Sequence, residues 1–325
     1  MKSKYQVTPT RRQFLLQSLH VAVAATLASA AALPAYAATQ RELRIGYQKG
    51  VLSLLKGRGT LEQRLAPLGV TIKWIEFSAG PVQLEALGVG SIDFGDVGEA
   101  PPIFSQAAGS PLVYVAATVP RTALEAVLVP AGSGIKTVAD LKGKKIAFNK
   151  GSNVHYFLVK LLEKAGLRYT DVTPIFLSPA DARAAFETGA VDAWAIWEPY
   201  LAAAEKTLSA RILADATGVV KNRAYYFSSK DYARNNVDVL NILIDELGKL
   251  DVWARANRNG FATELSGVLG LPKPVVDIMV RRYSFGTEAI TPAILAEQQV
   301  IADTFYELKL LPKKILVHEA APPWL

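Results

Sequence analysis

The chain has no cysteine, and only 3 histidines and 2 methionines in 325 residues. Without cysteine there are no disulfides, thiolate metal sites, thiol nucleophiles or thiol redox chemistry. A packed core must hold the fold, and this length is enough to build one. No His-Glu-x-x-His pair occurs. Beyond the N-terminal segment only His155 and His318 are left, so a Ser-His-Asp triad would have to use one of them. Neither G-x-G-x-x-G nor G-x-x-x-x-G-K-[ST] is present, so nucleotide binding has no motif behind it. These absences leave little for catalysis and call for no cofactor and no metal.

What is present first is an export signal. Thr10-Arg11-Arg12-Gln13-Phe14-Leu15-Leu16 is a twin-arginine motif, and the run from Phe14 to Leu33 is uncharged and alanine-rich. Ala35-Tyr36-Ala37 is an A-x-A cleavage site, so the mature chain is expected to start at Ala38, outside the cytoplasm. The twin-arginine match is short and leaves Sec export as the alternative route. Residues 1–37 carry Lys2, Lys4, Arg11 and Arg12 and no acid, so their removal lowers the formal charge from +7 to +3. That is a mild excess that draws small anions weakly, and no nucleic-acid footprint.

Along the mature chain, helical and strand patterns alternate. Arg41 to Tyr47, Val70 to Phe77, Ser91 to Gly98 and Val113 to Ala117 read as strands, with helical runs between them. Ser78 is the expected N-cap of the second helix, and Pro101-Pro102 open the third. The order βαβαβ implies parallel strands with helical crossovers. The grammar restarts after Val129: strands at Lys145 to Phe148, Val172 to Leu177 and Val191 to Trp197 alternate with helices led by Ser152, Ser178 and Pro199. Val220 to Ser228 reads as a return strand, and the chain from Asp231 onward is mainly helical. The reading is an α/β protein of two similar lobes, parallel-rich, one inserted in the other, with a cleft between them. Residues 38–122 form the first part of lobe I, 123–222 lobe II, and 223–325 the return to lobe I with C-terminal helices.

In such sheets, ligands bind beyond the carboxyl ends of the strands. The turns there are Tyr47-Gln48-Lys49, Ser78-Ala79-Gly80, Gly98-Glu99-Ala100 and Gly151-Ser152-Asn153. Several of these open a helix, whose unpaired N–H groups and positive end suit an anion without a metal. Gln48 is a neutral donor, and Lys49 is either a binding cation or a solvated surface lysine. His155, one turn into its helix, reads as a structural histidine. Period-two alternation in Asp192 to Pro199 brings Trp197 to a strand end beside the cleft, with Glu198 able to receive a donor, whereas Trp194 reads as core. Arg281-Arg282-Tyr283-Ser284-Phe285-Gly286 reads as a solvated face or a partner contact, away from the ligand.

The chain resembles the aliphatic-sulfonate-binding periplasmic proteins. The resemblance rests on Gly46 to Lys49, Leu54 to Glu62, Trp74 to Pro81, Leu84 to Gly95, Val138 to Lys145, Asn149 to Tyr156, Pro179 to Glu187 and Pro312 to Ile315, and covers essentially the whole mature chain. It implies a two-lobed, type II-like periplasmic binding-protein fold. It also implies the solute receptor of an ABC importer, which captures alkanesulfonates as a sulfur source. The receptor would hand them to a membrane permease and its ATPase, and would work as a periplasmic monomer. Taurine, nitrate or another small oxyanion is the alternative ligand. The expected site is Gln48, Lys49, Ser78, Ala79, Gly80, Glu99, Ala100, Ser152, Asn153, Trp197 and Glu198. The sulfonate head is expected against Ser78 to Gly80 and Ser152 to Asn153, and the tail against Trp197. Ala100 departs from the family, in which Thr often follows the acid. An enzyme of the pyrimidine-forming type on this fold would carry a cysteine-rich motif, which this chain lacks.

Overall fold

The computed structural model describes residues 41–325, and the expected export signal lies outside them. The strand β1 (Arg41–Tyr47) leads through helices α1 (Val51–Arg58) and α2 (Thr60–Leu65) to β2 (Val70–Glu76). Gly59, in the left-handed region at φ 64°, separates those helices. Helix α3 (Gly80–Gly88), β3 (Phe94–Gly98), α4 (Pro101–Ala107) and β4 (Leu112–Thr118) complete the first run. A crossover then leaves this lobe, and β5 (Glu125–Val129), β6 (Lys145–Phe148), α5 (Asn153–Lys164), β7 (Thr173–Phe176), α6 (Pro179–Glu187), β8 (Ala193–Trp197), α7 (Tyr200–Thr207) and β9 (Arg211–Asp215) follow. The second crossover returns the chain to β10 (Ala224–Ser229). After it come α8 (Lys230–Asn235), α9 (Val237–Ala256), α10 (Arg258–Leu269), α11 (Lys273–Arg282), β11 (Thr287–Ala289) and α12 (Pro292–Glu307).

The strands form two sheets. One has the order β11-β4-β10-β3-β1-β2, the other β7-β6-β8-β5-β9. In each, the βαβ units pair in parallel, β3-β1-β2 in the first and β7-β6-β8 in the second. The sheets are parallel-rich, as expected: β1, β2, β3 and β4 share one direction in the first, and β6, β7, β8 and β9 in the second. Strands β10 and β11 run antiparallel in the first sheet, as does β5 against β8 and β9 in the second. The return strand β10 inserts between β3 and β4, so these two strands of the first run never touch. It also starts at Ala224, later than its apolar pattern suggested, because Val220 to Arg223 belong to the crossover.

Apolar packing explains the layers. Alternate residues of β1 and the stripes of α1, α9, α10 and α11 bury Leu43, Leu52, Leu243, Leu265 and Met279 in one cluster. A second cluster runs through residues of both sheets, with Tyr114 and Phe227 from one and Val127 and Phe148 from the other. Helix α12 caps that cluster, its Phe305 against Phe104 at 4.8 Å and against His155 at 5.2 Å. The two lobes therefore share a core at their base. No described helix is long and apolar enough to cross a membrane.

Candidate functional site

The cleft opens where both sheets present strand carboxyl ends, and it encloses about 120 Å³. From the first sheet it receives Gln48, Lys49 and Gly50 after β1, Gly80 at the start of α3, and Asp96, Val97 and Gly98 of β3. From the second it receives Ser152 and Asn153 at the start of α5, and Trp197 and Glu198 after β8. The crossovers supply Arg121 and Leu124, and Asn222, Arg223 and Ala224; Tyr283 closes one side.

Of the residues expected from sequence, Gln48, Lys49, Gly80, Ser152, Asn153, Trp197 and Glu198 meet in this cleft. Gln48 Nε2 donates to the Asp96 carbonyl at 3.3 Å, which ties the first turn to β3. Lys49 is exposed at the rim. Gly80 sits where α3 and α4 start side by side; a Cβ there would lie 2.9 Å from Pro101, so only glycine lets the helix starts approach. Trp197 is half-buried at the cleft, while Trp194 is core at 1% exposure.

Ser78, Ala79, Glu99 and Ala100 do not line it. The N-cap of helix α3 is Ala79, in extended backbone, and not Ser78, which is exposed. Ala100 is fully buried under α4. Glu99 turns into the opposite cavity, behind the crossovers, where it meets Tyr156, Tyr225 and Glu297. Burial pushes its carboxyl up to about 8, and the Arg223 backbone N–H, donating to it at 3.2 Å, only partly offsets this.

Three side chains in the cleft are already committed. Glu198 accepts from Arg282 Nη1 at 2.5 Å and from the Ala202 N–H at 2.9 Å, so it is not free to receive a ligand donor. Ser152 donates its hydroxyl to the Asn149 carbonyl at 2.6 Å, so what α5 offers a ligand is its helix start. Asn153 Nδ2 donates to Glu125, at the start of β5, and to Asn222 Oδ1 at 3.2 Å. Asn222 Nδ2 in turn donates to the Arg121 carbonyl at 3.1 Å, and the Arg121 N–H to the Lys221 carbonyl at 3.1 Å. This amide chain runs from the second lobe through both crossovers. Gly98 meets it from the first lobe: a Cβ there would lie 2.8 Å from the Asn153 side chain.

The sequence reading missed Arg121, Asp96 and Tyr283. Arg121 is 5% exposed; its Nε donates to the Ser284 carbonyl at 3.2 Å, and its guanidinium lies 5.0 Å from the Tyr283 ring centre. Its Nη2 is buried and has no acceptor among the described residues. A buried cation with no hydrogen-bonded carboxylate is costly, and an anionic ligand relieves it. The Arg281 to Gly286 segment, read as remote from the ligand, thus holds the site from beneath: Arg282 clamps Glu198, Tyr283 lines the cleft and Ser284 orients Arg121. Nothing in that segment marks it locally, because α11 brings it to the cleft by long-range packing. His155 is structural as expected: the Gly151 N–H donates to its Nδ1 at 3.2 Å, its Nε2 meets the Tyr169 hydroxyl at 3.0 Å, and burial lowers its pKa to about 3.

The NMT1/THI5-like family model matches residues 68–247. An Escherichia coli K12 protein named for binding aliphatic sulfonates is 44% identical over 280 residues, which span 85% of this chain and 87% of that protein. The crystal structure of the alkanesulfonate-binding protein SsuA from Xanthomonas axonopodis pv. citri, bound to MOPS, superposes with a TM-score of 0.82 at 44% identity, covering 86% of this chain and 97% of that one. The periplasmic aliphatic sulphonate binding protein SsuA from E. coli gives 0.79 at 43% identity, covering 86% and 91%.

Proposed function

The chain belongs to the NMT1/THI5-like family and, within it, to the aliphatic-sulfonate-binding proteins, and from that premise we propose that it is the periplasmic receptor of an ABC importer, capturing alkanesulfonates for sulfur supply. The observation that carries this reading is Arg121, a buried cation with an unpartnered nitrogen at the wall of a cleft lined by helix starts. A sulfonate is singly charged over the whole physiological pH range and presents three acceptor oxygens. It suits one guanidinium plus the starts of α3 at Gly80 and α5 at Ser152 and Asn153. Gln48 and Lys49 flank the mouth, and Trp197 forms the apolar wall for the alkyl chain. The two lobes close about the crossovers, and closure seals the head group from water. The receptor binds without turnover, is exported by the twin-arginine signal, acts as a monomer and delivers its ligand to a permease driven by an ATPase.

The test is a tryptophan-fluorescence titration of residues 38–325 with alkanesulfonates, taurine, nitrate and sulfate. Micromolar or tighter alkanesulfonate binding with weak responses to the others is the expected result. A response to nitrate or taurine alone would keep the fold and overturn the ligand.

A further inference from the structure

Asp96 has no part in the reading above, yet its place is unusual. It lies midway along β3, opposite Tyr226 of β10, and lines the same cleft as Arg121. Its Oδ1 is buried with no donor, and the Arg121 Nη2 with no acceptor, among the described residues. An acceptor and a cation, both unsatisfied, therefore face one small cavity. An oxyanion placed there takes the Arg121 charge, and an ionised Asp96 beside it would be a second anion sharing that cation. The arrangement is relieved by one proton on Asp96, which turns the carboxyl into a donor.

We propose that Asp96 makes sulfonate capture proton-linked: its protonated carboxyl donates to a sulfonate oxygen beside Arg121, and the ionised carboxyl opposes the ligand. This deepens the receptor reading and rests on it. Sulfonates stay ionised, so the proton taken up on binding resides on the protein.

The surroundings bear on this directly. Burial pushes the Asp96 carboxyl up to about 6, against the pull of Arg121. The Tyr226 and Tyr283 hydroxyls respond to both Asp96 and Arg121, and to Asp251, which is held by Thr287. Lys49 lies at the rim from the β1 side, and the starts of α3 and α4 bring Gly80 and Pro101, neither charged. Across the cleft Glu198 is clamped by Arg282, and Arg223 is engaged by Glu288 and Glu297. Glu99 and Glu125, also raised by burial, lie below the amide chain and outside the cleft lining.

The experiment is calorimetric titration of the mature protein with ethanesulfonate from pH 5 to 8, in buffers of differing ionisation heat. The expected result is proton uptake on binding at pH 7 and affinity roughly tenfold tighter at pH 5.5 than at pH 7.5. Asp96→Asn should bind at pH 7.5 at least as tightly as the parent and lose the pH dependence. Binding without proton uptake in the parent, needing no variant, would overturn the link while leaving the receptor reading intact. So would an Asp96→Asn protein that keeps the parent's slope, which would move the proton to Glu198, Glu99 or Glu125. If Asp96→Asn weakens taurine but not ethanesulfonate, Asp96 is an amine acceptor and the proposal fails. No ethanesulfonate binding at any pH would remove both readings.

Discussion

The two crossovers each carry a buried arginine, and they are used in opposite ways. Arg223, on the return crossover, is 8% exposed and engaged: Nε with Glu297 at 3.0 Å, and Nη1 with Glu288 at 2.6 Å and the Thr118 carbonyl at 2.7 Å. Arg121, on the outgoing crossover, is buried as deeply but meets one carbonyl and an aromatic face. Residue type and burial are alike, so the partners decide the role. Carboxylates that arrive with the fold make Arg223 a fastener between β4, β11 and α12. Among the described residues no carboxylate bonds to Arg121, although Asp96 lies near it, and its free nitrogen is left for a ligand anion.

The sharpest way to break this comparison is to remove each charge in turn. Arg121→Met should weaken alkanesulfonate binding about 100-fold, since a buried charged hydrogen bond is lost. Its stability in urea should be unchanged or higher, because an unpaired buried charge has gone. Arg223→Met should do the reverse, losing about 2 kcal/mol of stability with a much smaller change in affinity. Equal effects from the two, in titration and unfolding, would erase the distinction.

A milder test leaves both arginines in place. Gly98→Ala puts a methyl 2.8 Å from Asn153, where the lobes meet through the amide chain. Holding them apart should weaken binding about tenfold with little loss of melting temperature, since the lobes can part to admit the methyl. Unchanged affinity would mean that this contact is not needed for closure.

The smallest expected effect concerns Glu99, whose carboxyl accepts from the Arg223 N–H on the far side of the crossovers. Its folded value is raised from 4.5 to about 8, so the native state holds a proton that the unfolded chain releases. The stability this contributes is complete below about pH 4.5 and is lost as pH rises to about 8. Glu99→Gln should therefore flatten the fall in melting temperature across that window. Some slope should remain from Glu125, which burial shifts in the same direction. Affinity should stay within about twofold, because Glu99 faces away from the cleft.

Much of the architecture was legible in the residues. Pro101-Pro102 opens α4, Ser178 caps α6 by accepting from the Asp181 N–H, and Trp194 and Trp197 separate into core and cleft as alternation implies. The site was legible in part. Gln48, Gly80, Ser152, Asn153 and Trp197 follow from the rule that ligands gather at strand carboxyl ends, which needs only local pattern. Glu99 shows its limit, because a turn at the right strand end still has two sides, and this side chain lines the cavity behind the crossovers instead.

The sequence by itself determined that this is an α/β chain with βαβ units, anion-suited helix starts and no thiol chemistry. Those properties depend on composition, period and capping, all of which act over a few residues. Only the tertiary structure decided that β10 would slip between β3 and β4, that Tyr283 would come to line the cleft, and that Arg121 would be buried near Asp96 with no salt bridge between them. Each of these joins segments distant in the chain, and the energy that selects them comes from long-range packing and from which charges meet when the lobes assemble.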